Sequence, residues 1–252
     1  MLRCLRSLLH MIWMGITVIP WTMAVWWVSL LRSPAQAWWY AVGWFRVVIW
    51  GTRHLLGIRM EVLGLEHLPA EGPVVLLCKH QSALETLWIP TLIPHRLAFV
   101  FKRELLQIPF FGWSMARLDM VHIDRSARAV AMKQVIEQGT RLLGQGTWII
   151  MFPEGTRVPR GKAGTYQSAG VRLAVQAGAT IVPVAVATAR CWPKQGFCKL
   201  PGVVRVAFGQ PIATQGQEPR ELLHTVQAWI EGEMRRIDPE AYPDCDEAKG
   251  LE

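Results

Sequence analysis

Residues 73–89 read PVVLLCKHQSALETLWI, and the stretch changes character near its middle. Its first part, 74–78, is an unbroken apolar run of strand length, typical of a strand buried on both faces of a sheet. In its second part, Ser82 comes three residues before Glu85, which is the spacing of a capping box at the start of a helix. Between the two parts lies a short loop that contains His80. The stretch therefore predicts a buried strand followed directly by a helix, the repeating unit of α/β sheets.

The same alternation continues along most of the chain. Short apolar runs predict strands, and longer amphipathic segments between them predict helices. We expect an α/β fold with a mostly parallel sheet flanked by helices. The predicted strands are 74–78, 97–101, 120–123, 148–152, 180–187 and 203–208, and the predicted helices are 82–93, 126–143, 167–177 and 220–237.

The N-terminal part of the chain is chemically different from the rest. Residues 8–31 form a run of 24 residues without Lys, Arg, Asp or Glu, which as a helix would span about 36 Å, enough to cross a bilayer core. A cleaved signal peptide is the alternative, because Ala35-Gln36-Ala37 resembles a cleavage site. The apolar run is longer than the core of a signal peptide, however, which favours a retained helix.

A second apolar segment, 38–58, contains Arg46 and Arg53 on one helical face. This pattern is typical of a helix at the membrane interface whose arginines reach the headgroups. We therefore predict three parts: a two-helix membrane anchor over 1–58, spanning or half-embedded, a catalytic domain over 59–237, and a polar, loosely ordered C-terminal tail over 238–252.

The charge distribution indicates an anionic partner. Between Arg96 and Lys199 there are 15 Lys and Arg against 5 Asp and Glu. A phosphate-bearing substrate or an anionic lipid surface fits such a basic region. Nucleic acid fits poorly, because the arginines lie in strand-end loops and no nucleic-acid-binding module is recognisable.

The cysteines indicate neither a disulfide framework nor a metal site. Their number is odd and no spacing matches metal ligands, so we predict a reduced chain that faces the cytosol, with no metal. They are Cys4, Cys78, Cys191, Cys198 and Cys245.

His80 and Glu85 have the residue types needed for proton transfer. Neutral imidazole takes up protons near physiological pH, which suits a general base. Glu85 has two possible roles: to cap the helix by accepting from the Ser82 amide, or to orient the imidazole and stabilise its protonated form. A helix that starts at Ser82 leaves His80 in the loop above its first turn, so the cap allows both roles.

Residues 152–157 read FPEGTR and follow another predicted strand. Gly155 lets the backbone approach a ligand closely, and Glu154 and Thr156 supply an acceptor and a hydroxyl. Arg157 suits a forked contact with phosphate. The loop is not a P-loop, because no Gly-Lys-Ser or Gly-Lys-Thr follows it.

Four motifs occur in a fixed order: KHQSALET at 79–86, IDR at 123–125, FPEGTR at 152–157 and VPVAV at 182–186. Together they resemble the four motifs of the glycerolipid acyltransferase family, over roughly residues 57–211. His80 matches the family's catalytic histidine, and Glu85 stands where the family usually has aspartate. Pro183 matches the proline of the family's fourth motif, which lies near the acyl-donor site. Val158 departs from the family pattern, because serine is common at this position. The positions that match the phosphate-binding residues are Lys102, Arg125, Glu154, Gly155, Thr156 and Arg157.

The resemblance implies transfer of an acyl group to the sn-2 hydroxyl of 1-acylglycerol-3-phosphate (lysophosphatidic acid), which gives phosphatidic acid for phospholipid synthesis. The co-substrate would be acyl-CoA or acyl carrier protein, with no other cofactor. It also implies a phospholipid bilayer as partner, and a place at the bacterial inner membrane with the catalytic domain on the cytoplasmic side.

Three alternatives stay open. The acceptor could be another lysolipid, such as a lyso-ornithine lipid. The chain could be a non-catalytic membrane lipid-binding protein, since Glu85 departs from the family's aspartate. It could also be a serine hydrolase, because residues 112–116 (GWSMA) nearly match the Gly-x-Ser-x-Gly elbow around Ser114, although no strand precedes them.

Overall fold

The structure is a computed structural model that describes residues 1–123 and 128–243, without the side chains of Lys102, Arg128 and Ala129. Its helices are α1 (Leu2–Leu31), α2 (Pro34–Gly51), α3 (Leu84–Leu92), α4 (Phe111–Arg117), α5 (Arg128–Gly144), α6 (Ala169–Ala177) and α7 (Pro219–Ile237). Its strands are β1 (Ile58–Leu63), β2 (Val74–Cys78), β3 (Leu97–Lys102), β4 (Val121–Ile123), β5 (Trp148–Met151), β6 (Thr180–Val186) and β7 (Gly202–Phe208). Single helical turns at Thr52–Leu56, Leu65–His67, Arg103–Gln107, Thr188–Arg190 and Pro239–Ala241 complete the described elements.

The strands form one sheet in the order β1-β7-β6-β2-β5-β3-β4. Neighbouring strands are parallel except β6 and β7, which are antiparallel. The predicted α/β fold with a mostly parallel sheet is confirmed. The central strands β2 and β5 are buried at every position, as their unbroken apolar sequences require.

Strand β1 was not predicted from the sequence. It lies at the edge of the sheet and pairs only with β7 among the described strands. One of its backbone edges is therefore unpaired, and exposed Arg59 and Glu61 alternate with more buried apolar residues along it. A six-residue strand of this mixed type lacks the continuous apolar run that marks the central strands.

The N-terminal part forms two helices, as expected, with different surroundings. Helix α1 is long and apolar enough to cross a membrane, and it exposes large apolar side chains along most of its length. Helix α2 starts with a capping box between Ser33 and Gln36. It places Trp38 and Val42 in the same buried cluster as the strands of the sheet. The two helices are thus packed onto the catalytic domain, and α2 contributes to its core.

A disulfide joins Cys4, at the start of α1, to Cys198, in the loop between β6 and β7. The prediction of a fully reduced chain is therefore wrong for this pair, and cysteine chemistry gives no support for a cytosolic orientation. The pair is separated by 194 residues, and only the packing of α1 on the domain brings its members together. Cys78 and Cys191 are free and buried, whereas Cys245 lies outside the described residues.

The predicted C-terminal tail begins inside the packed domain. Asp238 is fully buried and accepts two hydrogen bonds from the Arg160 guanidinium, at 2.7 and 2.6 Å. Tyr242 packs against the main core. The expectation of loose order is wrong for 238–242, because α7 ends in a buried ion pair rather than in solvent. The rest of the predicted tail, 244–252, lies outside the described residues.

The packing of α2 is testable with adjacent tryptophans. Trp38 is 1% exposed and Trp39 is 44% exposed. We expect Trp38→Ala to lower the free energy of unfolding by about 3–5 kcal/mol, the usual cost of removing a buried aromatic side chain. Trp39→Ala, the matched control, should change it little. Thermal and denaturant unfolding of the detergent-solubilised full chain measures both variants, and equal effects would show that α2 is not docked in this way.

Candidate active site

The motif-bearing loops follow strands that are neighbours in the sheet. The loop with His80 follows β2, and FPEGTR follows β5, which pairs with β2 on one side. The turn Thr188–Arg190 follows β6, which pairs with β2 on the other side. Because these strands are parallel, their carboxyl ends meet at one edge of the sheet, where ligands bind in α/β proteins. The loop with His80, the FPEGTR loop and the turn Thr188–Arg190 therefore lie at one rim.

His80 and Glu85 form a direct pair. Nδ1 of His80 lies 2.9 Å from Oε1 of Glu85, and the Glu85 side chain is fully buried while that of His80 is 18% exposed. A carboxylate can only accept, so Nδ1 carries the proton and Nε2 keeps its lone pair. The side chain of His80 also lines the main cavity. The arrangement presents a neutral imidazole as a base to whatever occupies that cavity.

The cap and the imidazole contact belong to one hydrogen-bond arrangement. Oε1 of Glu85 also accepts from the amides of Gln81 and Ser82, at 2.7 and 2.8 Å. Oε2 accepts from the hydroxyls of Ser82 and Thr188, both at 2.8 Å. All these groups donate, which suits an anionic carboxylate. The helix begins later than predicted, at Leu84, and the reach of the longer glutamate side chain spans the distance to His80.

Glu154, predicted to bind substrate, is engaged with the backbone of the catalytic loop. Its Oε2 accepts from the His80 amide at 2.9 Å, and its Oε1 lies 2.8 Å from Nζ of the fully buried Lys79. Lys79 also contacts Oε1 of Glu231 on α7 at 2.6 Å. That same oxygen accepts from the Tyr166 hydroxyl at 2.8 Å, and burial followed by the nearby Glu231 raises the pKa of Tyr166. A buried polar cluster therefore connects α7 to the amide of His80.

The FPEGTR loop holds His80 by two further contacts. The ring of Phe152 stacks on the imidazole with centroids 4.0 Å apart. The amide of Val158 donates to the His80 carbonyl at 2.8 Å. Gly155 makes the turn between them with a φ of 66°, a left-handed conformation that favours glycine. The loop expected to hold phosphate thus also positions the histidine.

Arg157 lies in a basic rim beside the cavity. Its guanidinium is half-buried and lines the cavity together with Thr156. Nζ of Lys194 donates to the Arg157 carbonyl at 2.8 Å. Burial, and then the positive charge of Arg157, lowers the pKa of Lys199, whose ammonium lies over the Trp192 ring. Clustered cations of this kind attract a doubly charged phosphate.

The cavity is large and mostly apolar, with a volume of about 1060 Å³. His80 and the residues of FPEGTR are part of its wall. The remaining wall comes from aromatic and aliphatic side chains of both the domain and the N-terminal helices. Those contributed by the N-terminal helices include Val18, Trp21, Val25, Trp38, Trp44 and Phe45. Such a space next to a base and a cationic rim suits an acyl chain attached to a polar reacting group.

Three predicted site residues are placed differently or are not described. Pro183 lies within β6, level with Leu77 of β2, and does not line the cavity. Its role near an acyl donor stays a prediction. Arg125 lies outside the described residues, and of Lys102 only the backbone, at the end of β3, is described. Their predicted contacts with phosphate therefore stay predictions.

Ser114 does not form a nucleophile elbow. It lies inside α4, and its hydroxyl donates to the carbonyls of Thr22 and Phe110, each at 2.9 Å. The residues before it form a helical turn rather than a strand. The serine hydrolase alternative therefore lacks its structural requirement. Cys78 is no alternative nucleophile, because burial, followed by Glu85 and Glu154, raises the pKa of its thiol well above the usual range.

Sequence reasoning missed the groups that position the site. Lys79, Thr188 and Glu231 were not foreseen, because a buried lysine and a lone hydroxyl show no function until the fold supplies their partners. Lys194 and Lys199 were foreseen only as part of the basic excess between 96 and 199. For such residues the sequence offers one signal, a position inside a motif. Of these residues only Lys79, the first residue of the motif at 79–86, has it.

Comparisons with known proteins agree with this geometry. Residues 59–187 match the acyltransferase family model. The chain is 39% identical to the 1-acyl-sn-glycerol-3-phosphate acyltransferase of Pseudomonas aeruginosa, over 94% of this chain and 93% of that protein. It is 32% identical to the human 1-acyl-sn-glycerol-3-phosphate acyltransferase alpha, over 70% of this chain and 63% of that protein.

A solved structure resembles the whole fold. It is the crystal structure of the 1-acyl-sn-glycerophosphate (LPA) acyltransferase PlsC from Thermotoga maritima, with a TM-score of 0.76 and 25% identity, covering 93% of this chain and 97% of that one. The His80–Glu85 pair, the cavity behind it and these similarities lead to one conclusion: the chain belongs to the acyltransferase family.

Proposed function

We propose that this protein transfers a fatty acyl group from an acyl thioester to the sn-2 hydroxyl of 1-acylglycerol-3-phosphate and so makes phosphatidic acid. The observation that carries the proposal is the His80–Glu85 pair, 2.9 Å apart, at the wall of a large apolar cavity with Arg157 beside it. The proposal agrees with the names of the relatives from Pseudomonas aeruginosa and human.

His80 acts as the general base of the reaction. Nε2 takes the proton from the acceptor hydroxyl while its oxygen attacks the thioester carbonyl, and Glu85 stabilises the imidazolium that forms. The C–O bond forms, the C–S bond breaks, and the imidazolium returns its proton to the departing thiolate. The nucleophile belongs to the substrate, so the protein needs no nucleophilic side chain of its own.

The basic rim positions the acceptor. Arg157 and Lys199 contact the phosphate and thereby hold the neighbouring hydroxyl within reach of Nε2, since fixing the reacting groups supplies much of the rate enhancement in such reactions. Arg125 and Lys102 are further ligands of the phosphate in this proposal. The apolar cavity receives the acyl chain, which is delivered as acyl-CoA or on acyl carrier protein.

The protein works at a phospholipid bilayer, with α1 as the main membrane element. Large exposed apolar side chains such as Ile16 and Trp27 would be unfavourable in water and suit a lipid environment. As the family resemblance implies, we place the catalytic domain on the cytoplasmic side of the bacterial inner membrane; the Cys4–Cys198 disulfide gives no support to that side, because disulfides are rare in the cytosol. A non-catalytic lipid-binding role has less support, because Glu85 reaches His80 in spite of its extra methylene.

The activity is tested by product identification. Purified full-length protein in detergent, with lysophosphatidic acid and acyl thioesters, should yield phosphatidic acid by mass spectrometry. His80→Ala should lower turnover by about 10²–10⁴, the usual contribution of a general base. His224→Ala, at an exposed position on α7, is the matched control and should keep full activity. If lyso-ornithine lipid is acylated instead, the acceptor assignment is wrong; a folded but inactive wild type would refute the enzyme assignment.

Glu85→Gln separates capping from catalysis. The amide oxygen still accepts from the Ser82 amide, so we expect a melting temperature close to that of the wild type. The substitution removes the negative charge that stabilises the imidazolium, so turnover should fall by about two to four orders of magnitude. Glu85→Asp should retain part of the activity because it keeps the charge. Full activity of a stable Glu85→Gln protein would mean that His80 works without a charged partner.

Arg157→Ala tests the phosphate contact. We expect the Michaelis constant for lysophosphatidic acid to rise about 10- to 100-fold, as for the loss of a charge-assisted hydrogen bond. The constant for the acyl thioester should change much less. Arg172→Ala, an exposed arginine on α6, serves as the control in the same assay. A larger rise of the Michaelis constant for the acyl thioester than for lysophosphatidic acid would assign Arg157 to the acyl donor.

A further inference from the structure

The segment between β3 and α5 has an apolar surface separate from that of the N-terminal helices. From Leu105 to Ala116 it contains no Lys, Arg, Asp or Glu, whereas Arg103 and Glu104 precede it and Arg117 follows it. We call residues 105–116 the α4 segment. It has the composition of an interfacial element, apolar in the middle with basic residues at its ends.

The outer face of the α4 segment exposes three large apolar side chains. Ile108, Phe110 and Trp113 are 44%, 40% and 51% exposed and do not line the cavity, whereas Leu105 does. The rings of Phe110 and Trp113 contact each other with centroids 5.3 Å apart, so these two residues form one patch. A contiguous aromatic patch on a protein surface marks a site of contact with a partner or with lipid.

The backbone holds these side chains outward. Phe110 has φ 62° and ψ −58°, and the amide of Phe111 donates to the Pro109 carbonyl at 2.7 Å, which defines a tight γ-turn. This conformation is strained for a bulky residue. Next to it, a Cβ on Gly112 would lie 2.3 Å from the Leu106 carbonyl oxygen, so the chain folds closely on itself. The exposed aromatic residue is thus presented by an ordered, strained turn.

The inner face of the same segment belongs to the cavity and to α1. Phe111 and Met115 line the cavity that also contains His80. The buried hydroxyl of Ser114 donates to the Thr22 carbonyl of α1 at 2.9 Å. The α4 segment therefore packs against α1, and its apolar side chains are divided between the cavity and the exposed patch.

We propose that the α4 segment inserts into the interfacial region of the bilayer beside α1, as a second lipid-contacting element of the protein. The proposal rests on the membrane placement proposed above. The bilayer is favoured as the occupant because the segment packs against α1, the helix long enough to cross a membrane, carries an exposed Phe–Trp pair and is flanked by Arg103 and Arg117, the residue types of a membrane interface. In this position, the segment is the part of the cavity wall that faces lipid.

Site-specific labelling tests the proposal. In a Cys245→Ser background, the bonded and buried cysteines do not react readily, so single cysteines at chosen positions carry an environment-sensitive fluorophore. The full chain is reconstituted in phospholipid vesicles with and without doxyl-labelled lipid. Trp113→Cys and Ile108→Cys report on the segment, and the second keeps the test valid if the first variant misfolds. Leu65→Cys is the matched control, since Leu65 is 39% exposed in the turn after β1, at the opposite edge of the sheet.

A label on α1 separates this proposal from the membrane placement itself. Ile16, 67% exposed, reports on α1. We expect blue-shifted emission and strong quenching by doxyl lipid at positions 113, 108 and 16, and neither effect at 65. Quenching at 16 without quenching at 113 and 108 overturns the proposal and leaves the membrane placement intact. No quenching at any position overturns both. A blue shift at 113 that is lost on dilution of protein at constant lipid would identify a second protein copy as the occupant and also overturn the proposal.

Discussion

The ion pair between Lys79 and Glu154 is the interaction on which the site depends. Both side chains are completely buried, so their charges are removed from water at considerable cost and are stabilised by each other, by Glu231 on the other side of Lys79 and by their hydrogen bonds. Loss of Lys79 would leave the Glu154 carboxylate as an uncompensated buried charge, which typically costs about 3–5 kcal/mol. The second oxygen of Glu154 holds the His80 amide, so the same pair that stabilises the loop also fixes the base.

The contacts of Glu85 explain how a glutamate works where aspartate is usual in the family. The carboxylate lies among donors from two places: Gln81 and Ser82 in the loop after β2, and Thr188 after β6. A longer side chain has more rotatable bonds and would otherwise be less well oriented. Donors on both oxygens restrict it, so the extra methylene changes the reach of the carboxylate without loosening its orientation toward His80.

The sequence was informative where one physical signal dominates. Continuous apolar runs revealed the buried strands, and the spacing of Ser82 and Glu85 indicated the contact between the Ser82 amide and the Glu85 carboxylate, although the helix has Ala83 and not Ser82 as its N-cap. It was uninformative where a residue acquires its role only through distant partners. Lys79 looks like an ordinary charged residue until α7 supplies Glu231, 152 positions later in the chain. The edge strand β1 was missed for a related reason. Its alternation of charged and apolar residues also occurs in many exposed segments.

The shared wall of the cavity has a consequence for how this protein is divided into parts. Trp21 and Trp38 belong to the N-terminal helices, yet they enclose the same space as Phe99 and Met151 of the sheet. The boundary near residue 58 therefore separates two segments of the sequence, but both segments contribute to the same cavity. An exchange of the N-terminal helices between homologues would alter the dimensions of the cavity that we propose for the acyl chain. Such helices are thus expected to coevolve with the strands they face, rather than to be inherited as interchangeable membrane tethers.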